Sequence, residues 1–196
     1  MVSSVARAPL GRQQLLDAAR AELLNGNGGM DIGSVVRRAA LTTGALYHHF
    51  GSKTGLLAAV YDDFYEGLDR AIADTRLPKN ATWAQRERRR TRHMVAYHYA
   101  EPLAAQLLDR AATDPQLTLL ESAYVERLSE AAARNIRHGQ QLGQLPTAID
   151  PDVAGAYIIG GLRRGIAQQL RARPRPSLDH AAERLWHLVA ATLDIA

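Results

Sequence analysis

Leu41-Thr42-Thr43-Gly44-Ala45-Leu46-Tyr47-His48-His49-Phe50-Gly51-Ser52-Lys53-Thr54-Gly55-Leu56-Leu57 is the stretch on which the reading of this chain turns. Thr42 and Thr43 stand at the start of a short helix ending near His49. A hydroxyl there can cap the helix and also reach a phosphate or a base edge. Gly44 and Ala45 are small enough to let the backbone approach another surface closely. Leu46 and Phe50 are expected in the core, whereas Tyr47 and His49 carry donors suited to phosphate oxygens. Ser52 is the natural cap of the next helix. Lys53 falls in its first turn, where free N–H groups and the helix dipole already favour an anion. The short helix has no Arg, Lys, Asn or Gln, so base readout would lean on the threonines, Ala45, His48 and the shape of the duplex.

Working outward, two short helices precede this one. The first is predicted over Arg12–Leu24, with Leu15, Leu16, Ala19 and Leu23 as its apolar stripe, and is stopped by Asn25-Gly26-Asn27-Gly28-Gly29. Asp31 is placed to cap a second over Ile32–Ala40, with Val35, Val36 and Ala39 facing inward. Three short helices with a tight turn before the third form the helix-turn-helix pattern, in which one helix enters the major groove. Gly51-Ser52-Lys53-Thr54 is not a phosphate-binding loop of the nucleotide-hydrolase kind, since Ser52 interrupts the Gly-Lys-Thr order and no strand precedes it.

The run Gly44-Ala45-Leu46-Tyr47-His48-His49-Phe50, followed by Ser52-Lys53 and the Leu56-Leu57 pair, closely resembles the signature of the tetracycline-repressor (TetR) family of transcriptional regulators. The likeness extends back to Leu15-Leu16-Asp17-Ala18-Ala19, so it covers about the first 57 residues. Where such proteins usually have Gly in the turn before the third helix, this chain has Ala40, and a glycine-rich loop after Leu24 replaces their usual first turn. The resemblance implies that Tyr47, His49 and Lys53 contact phosphates. It also implies that the remaining helices form a regulatory domain that binds a small effector and dimerises.

The rest of the chain reads as helix between prolines, which belong in loops or first helical turns. A fourth helix should run from Ser52 to about Arg76. Others are expected near Trp83–Ala100, Pro102–Ala112, Gln116–Gly143, Asp152–Arg171 and Leu178–Leu193. No stretch alternates as a strand would. The expected architecture is all-α with about nine helices: a DNA-binding head over residues 1–54, then a larger effector-binding and dimerisation domain over 55–196.

Composition narrows the function classes. The 196 residues are 46% hydrophobic and 22% charged, ordinary globular values. Absence of cysteine excludes disulfides and thiol chemistry. A net charge of +4 with a pI near 9.7 permits nucleic-acid binding without requiring it. With no signal-like segment and no apolar run of membrane length, a cytoplasmic protein is expected. His93 and His98 are about 140° apart on a helix and His48 and His49 about 100°, so neither pair suits a metal. No paired-carboxylate, nucleophile-elbow or Ser/His/Asp spacing is visible, and no cofactor or catalysis is expected. The run Arg86, Arg88, Arg89, Arg90 and Arg92, broken by Glu87, reads as a solvated helix face.

Met94, Tyr97, His98, Leu107, Tyr124 and Leu128 are candidates to line an effector cavity, although plain packing explains them equally well. Ile158, Gly161, Leu162 and Gly165 on the penultimate helix, with Leu185, Trp186 and Val189 on the last, are candidates for a dimer interface. Their alternative is intramolecular core. The resulting expectation is a homodimeric repressor on a palindromic operator in double-stranded DNA, with half-sites roughly 34–36 Å apart, released by a small molecule. The alternative is an all-helical carrier or sensor whose head is vestigial, which the lack of a long basic side chain on the third helix keeps open.

Overall fold

A computed structural model describes residues 7–25, 29–73, 77–78, 80–110 and 115–195. Every regular element among these residues is an α-helix: α1 (Arg7–Asn25), α2 (Ile32–Arg38), α3 (Thr43–Phe50), α4 (Lys53–Ala73), α5 (Trp83–Ala100), α6 (Ala104–Arg110), α7 (Pro115–Gln141), α8 (Pro151–Arg171) and α9 (Leu178–Thr192). The glycine-rich stop at 26–28, the predicted helix ends at Arg76 and Ala112, and Asp114 of the Asp114-Pro115 break lie outside the described residues. The chain divides into two compact units. One comprises Met1–Glu66 with Pro102–Leu117, the other Gly67–Glu101 with Thr118–Ala196.

In the first unit, the α1 stripe Leu15, Leu16, Ala19 and Leu23 is buried, as are Val35, Ala39 and Leu46. Val36 is half-buried, and so is Phe50, which the sequence had placed in the core. Phe50 lies instead at the edge of the head, with the Arg12 guanidinium 5.4 Å from its ring centre. Three side-chain caps open α2, α3 and α4 by satisfying N–H groups that the first helical turn leaves unpaired. Asp31 accepts from Ser34 N at 2.8 Å, Thr42 from Ala45 N at 3.2 Å and Ser52 from Gly55 N at 2.9 Å. The first unit's two sequence segments are joined where Tyr61 on α4 donates its hydroxyl to the Leu107 carbonyl of α6 at 2.9 Å.

The turn from α2 to α3 is a Schellman closure. Leu41 N–H donates to Val36 O at 3.0 Å and Ala40 N–H to Arg37 O at 3.2 Å, a pair of bonds that requires the residue at position 40 to turn left-handed. Ala40 does so, at φ 53°. The same motif ends α7, where Gly143 occupies the left-handed position at φ 66° without a Cβ to strain it.

In the second unit, a capping box of Thr82 and Gln85 opens α5. Trp83 fastens it to the end of α7, its indole N–H donating to Asn135 O at 2.9 Å and its backbone N–H to Gln144 Oε1 at 2.6 Å. The arginine run of α5 is tied to α9 by Arg88–Glu183 and Arg92–Asp179, each at 2.7 Å. Helices α7 and α8 approach each other tightly at Gly155. A Cβ there would stand 2.8 Å from Ser129 O and 2.9 Å from Ala133 N, both main-chain atoms.

Two substitutions test this account. A left-handed conformation costs Ala roughly 1–2 kcal/mol, and glycine's extra freedom in the unfolded chain returns about half of that. Ala40→Gly is therefore expected to stabilise the protein by about 0.5–1 kcal/mol, raising its thermal midpoint by about 1–4 °C. Gly155→Val must push two helix backbones apart and should cost about 1–3 kcal/mol in a urea titration. An unchanged midpoint for either variant contradicts the corresponding geometry.

Candidate nucleic-acid interface

Helix α3 has one buried and one exposed side. Leu46 is fully enclosed, while Thr42, Thr43, Gly44, Tyr47 and His48 are exposed and Ala45 is half-buried. Because residues four apart share a helix face, Thr43 and Tyr47 stand on one line with Gly44 and His48 beside them. Tyr47 is 48% exposed, a large aromatic left outside although the head has a core to receive it. The Thr42 hydroxyl accepts the capping bond and keeps its own proton to donate. Lys53 is exposed in the first turn of α4, beside the Ser52 cap.

His49 is placed differently from its neighbours. It is half-buried, with its Nε2 3.4 Å from where a Cβ on the buried Gly11 of α1 would sit, and its ring meets those of His48 and Phe50 edge-on. Gly11 thus leaves room for the imidazole. Two exposed basic residues escaped the sequence reading, Arg37 and Arg38 in the last turn of α2. Ser34 Oγ holds the Arg37 guanidinium at 3.0 Å. An Arg-Arg pair directly before a helix-turn-helix turn was the available signal.

This exposed face and its flanking cations belong to a recognisable head. Residues 15–60 match the family model described as bacterial regulatory proteins, tetR family. The likeness to that family lies in these residues. Solved structures extend the likeness of fold to nearly the whole chain. A TetR-family transcriptional regulator from Pectobacterium atrosepticum is 24% identical, with a TM-score of 0.71 over 97% of this chain and 98% of its own. One from Syntrophomonas wolfei is 15% identical, with a TM-score of 0.78 over 93% and 94%. The fatty acid degradation regulator FadR from Bacillus halodurans is 14% identical, with a TM-score of 0.76 over 91% and 94%. No curated protein sequence matches.

Besides the exposed face of the head, there are two notable concavities among the described residues of the second unit. A cavity of about 270 Å³ is lined by Ile72 and Ala73 of α4, by α5, by Leu128 and Asn135 of α7, and by Ile158 and Leu162 of α8. Of the six predicted lining residues, Met94 and Leu128 are there. Tyr97, His98 and Tyr124 are not among the lining residues. Tyr97 lies over Gly67, and Tyr124 donates to Asp69 Oδ1 at 3.0 Å. Leu107 is buried in the first unit. The cavity's polar wall, Glu87, Arg90, Thr91 and Asn135, was not anticipated, because an isolated Glu in an arginine run reads as solvated.

The second concavity is an open groove of about 730 Å³ along α8 and α9, floored by Gly160 and Gly161. A Cβ on either glycine would meet nothing within 4 Å. Val153, Tyr157 and Leu188 along α8 and α9 are 68%, 69% and 66% exposed, far more than ordinary for such side chains. The predicted dimer residues Ile158, Leu162, Leu185, Trp186 and Val189 are buried within the chain, and Gly165 lies against Leu185, leaving Gly161 as the exposed member of that set. Ile158, Leu162 and Val189 line the cavity and the groove alike, forming a shared wall. No group of three metal-ligating side chains occurs among the described residues, and none of their helices is long and apolar enough to cross a membrane.

His98 is 2% exposed, and its Nδ1 lies 2.8 Å from the Met94 carbonyl. Burial, reinforced by the Arg163 charge, lowers its pKa from 6.5 to about 4. Between those values the unfolded chain binds a proton that the folded chain refuses, so stability must fall as pH drops from about 6.5 towards 4. The full loss attributable to His98 is about 3 kcal/mol. Urea titrations from pH 7.5 to 4.5 should show this slope in the wild type, and His98→Gln should flatten it.

Proposed function

We propose that this protein is a sequence-specific DNA-binding transcription regulator, a cytoplasmic, non-enzymatic repressor that binds a palindromic operator as a homodimer and releases it on taking up a small molecule. The observation that carries this reading is the outward face of α3, where Thr43, Gly44, Tyr47 and His48 stand exposed beside Lys53. With its side chains an α-helix is about 10–12 Å across, a match for the width of the major groove. Tyr47, His49 and Lys53 supply phosphate contacts, which position the head. Thr42, Thr43, Ala45 and His48 are left to read base edges, and Gly44 permits close approach. Arg37 and Arg38 add two further cations for the sugar-phosphate backbone.

The groove on α8 and α9 supports the dimer. Its exposed apolar side chains and open glycines favour close packing of a second copy of the same helix pair. The cavity supports the effector. Helix α4 carries Lys53 in its first turn and Ile72 and Ala73, which line the cavity, in its last. A ligand that shifts α4 therefore shifts a phosphate contact. To weaken operator binding a hundredfold, the ligand must favour the released form by about 2.7 kcal/mol, within the ordinary range of allosteric coupling.

The test begins by selecting bound fragments from genomic DNA at low ionic strength. Affinity for the selected operator should fall steeply with salt, and Lys53→Ala should reduce that log–log slope by about 1 while weakening all sequences alike. Tyr47→Ala should weaken binding with helicity unchanged, whereas His48→Ala should alter which bases are preferred. A carrier with a vestigial head predicts that none of these substitutions has a phenotype. Retention of no fragment by the wild type would falsify the regulator reading.

A further inference from the structure

The cavity's polar groups say what kind of molecule it accepts. Glu87 and Arg90 form an ion pair on one turn of α5, and the Asn135 side chain hydrogen-bonds to the same carboxylate from α7. Both charges in the wall are thus spent on each other. Burial pushes the Glu87 carboxyl above its usual range, a rise that Arg90 and the Asn135 hydrogen bond offset only in part. An anionic ligand would have to draw Arg90 away from Glu87, and a cationic one would have to displace Arg90. The first exchange strips the largely enclosed Glu87 carboxylate of its ion pair, and the second requires the ligand to outcompete a guanidinium already in place, so each costs binding energy that an uncharged ligand does not spend. The remaining polar groups, the Thr91 hydroxyl and the Asn135 amide, offer donors and acceptors without charge. Thr91 is 5% exposed, so a bond made to it is sheltered from water.

The other walls are hydrocarbon: Met94 from α5, Leu128 from α7, and Ile159 and Leu162 from α8. An apolar cavity of roughly 150 Å³ holds benzene, with its six carbons. By that scale a space of about 270 Å³ accommodates roughly ten to twelve non-hydrogen atoms. We infer that the cavity takes an uncharged, mainly hydrocarbon molecule of this size, carrying a single hydroxyl or carbonyl group directed at Thr91 and Asn135. The inference rests on the effector reading above and narrows it to one chemical class. It excludes carboxylates and amines as the favoured ligands.

Two matched probe sets decide the matter, one flat and one flexible: 2-naphthol, 2-naphthoate and 2-naphthylmethylammonium; 1-nonanol, nonanoate and nonylammonium. Binding is read by calorimetry on the full chain without DNA. At least one alcohol should bind tenfold or more tightly than both of its charged partners. Arg90→Met uncovers Glu87 and should reverse the preference towards the ammonium probe. Glu87→Gln releases Arg90 and should reverse it towards the carboxylate, which keeps the test intact if one variant fails to fold. Neither alcohol outbinding both of its charged partners tenfold in the wild type, binding by none of the six, or an order of preference unmoved in every folded variant would each overturn the inference. Operator release by the same probes, measured separately, distinguishes the two readings. Alcohols that bind without releasing DNA leave the ligand class standing and end the effector reading. A charged probe that binds best and releases DNA does the reverse.

Discussion

Leu46 has no exposure to solvent, and that burial sets the direction of every other side chain on α3. Successive residues on a helix turn by about 100°, so pinning one position fixes the azimuth of the rest. With Leu46 inside, Thr43 and Tyr47 must face out, and no side chain of α3 needs a partner of its own to hold it there. The caps then place the helix along its axis. Thr42 opens α3, Ser52 opens α4, and the left-handed residues Ala40 and Gly51 bound the segment at either end. What the head presents is therefore decided by a leucine that touches nothing outside it.

The architecture was largely legible in the sequence because prolines, glycines and capping residues act locally. Asp31, Thr42 and Ser52 each cap the helix that begins at the next residue, and an N-cap needs only the first turn of its own helix to work. The buried stripe of α1 followed from spacing alone. Ala40 is instructive in another way: its departure from the usual glycine was visible, and the structure retains the left-handed turn regardless. The two hydrogen bonds that close α2 hold that turn against the strain of one methyl group.

The cavity and the groove were much less legible. Helical periodicity separates an inward from an outward face, but it cannot tell packing from void. Met94 and Leu128 border space, whereas His98 and Tyr124, with the same spacing credentials, are occupied by a carbonyl and a carboxylate. On α8 and α9 the longest apolar stripes proved to be the chain's own interior, and the exposed side chains Val153, Tyr157 and Leu188 fell between them. Charge was misleading in a similar way. Arg88, Arg89 and Arg92 of the arginine run do form a solvated face, two of them tied to Glu183 and Asp179, yet Glu87 and Arg90 within it line the cavity, and Glu121 is buried where it pairs with Arg163 between α7 and α8. Only the third dimension distinguishes a glutamate that breaks up a charge run from one that lines a cavity.

Ile158, Leu162 and Val189 each present one side to the cavity and another to the groove. Rigid side chains so placed cannot adjust to an occupant on one side without altering the contour on the other, because protein interiors have little slack. For two copies joined through the groove, association and ligand uptake are then reciprocally linked: whatever factor one applies to the other is returned unchanged. Apparent ligand affinity would consequently depend on how much of the protein is present, making its abundance a variable in the response.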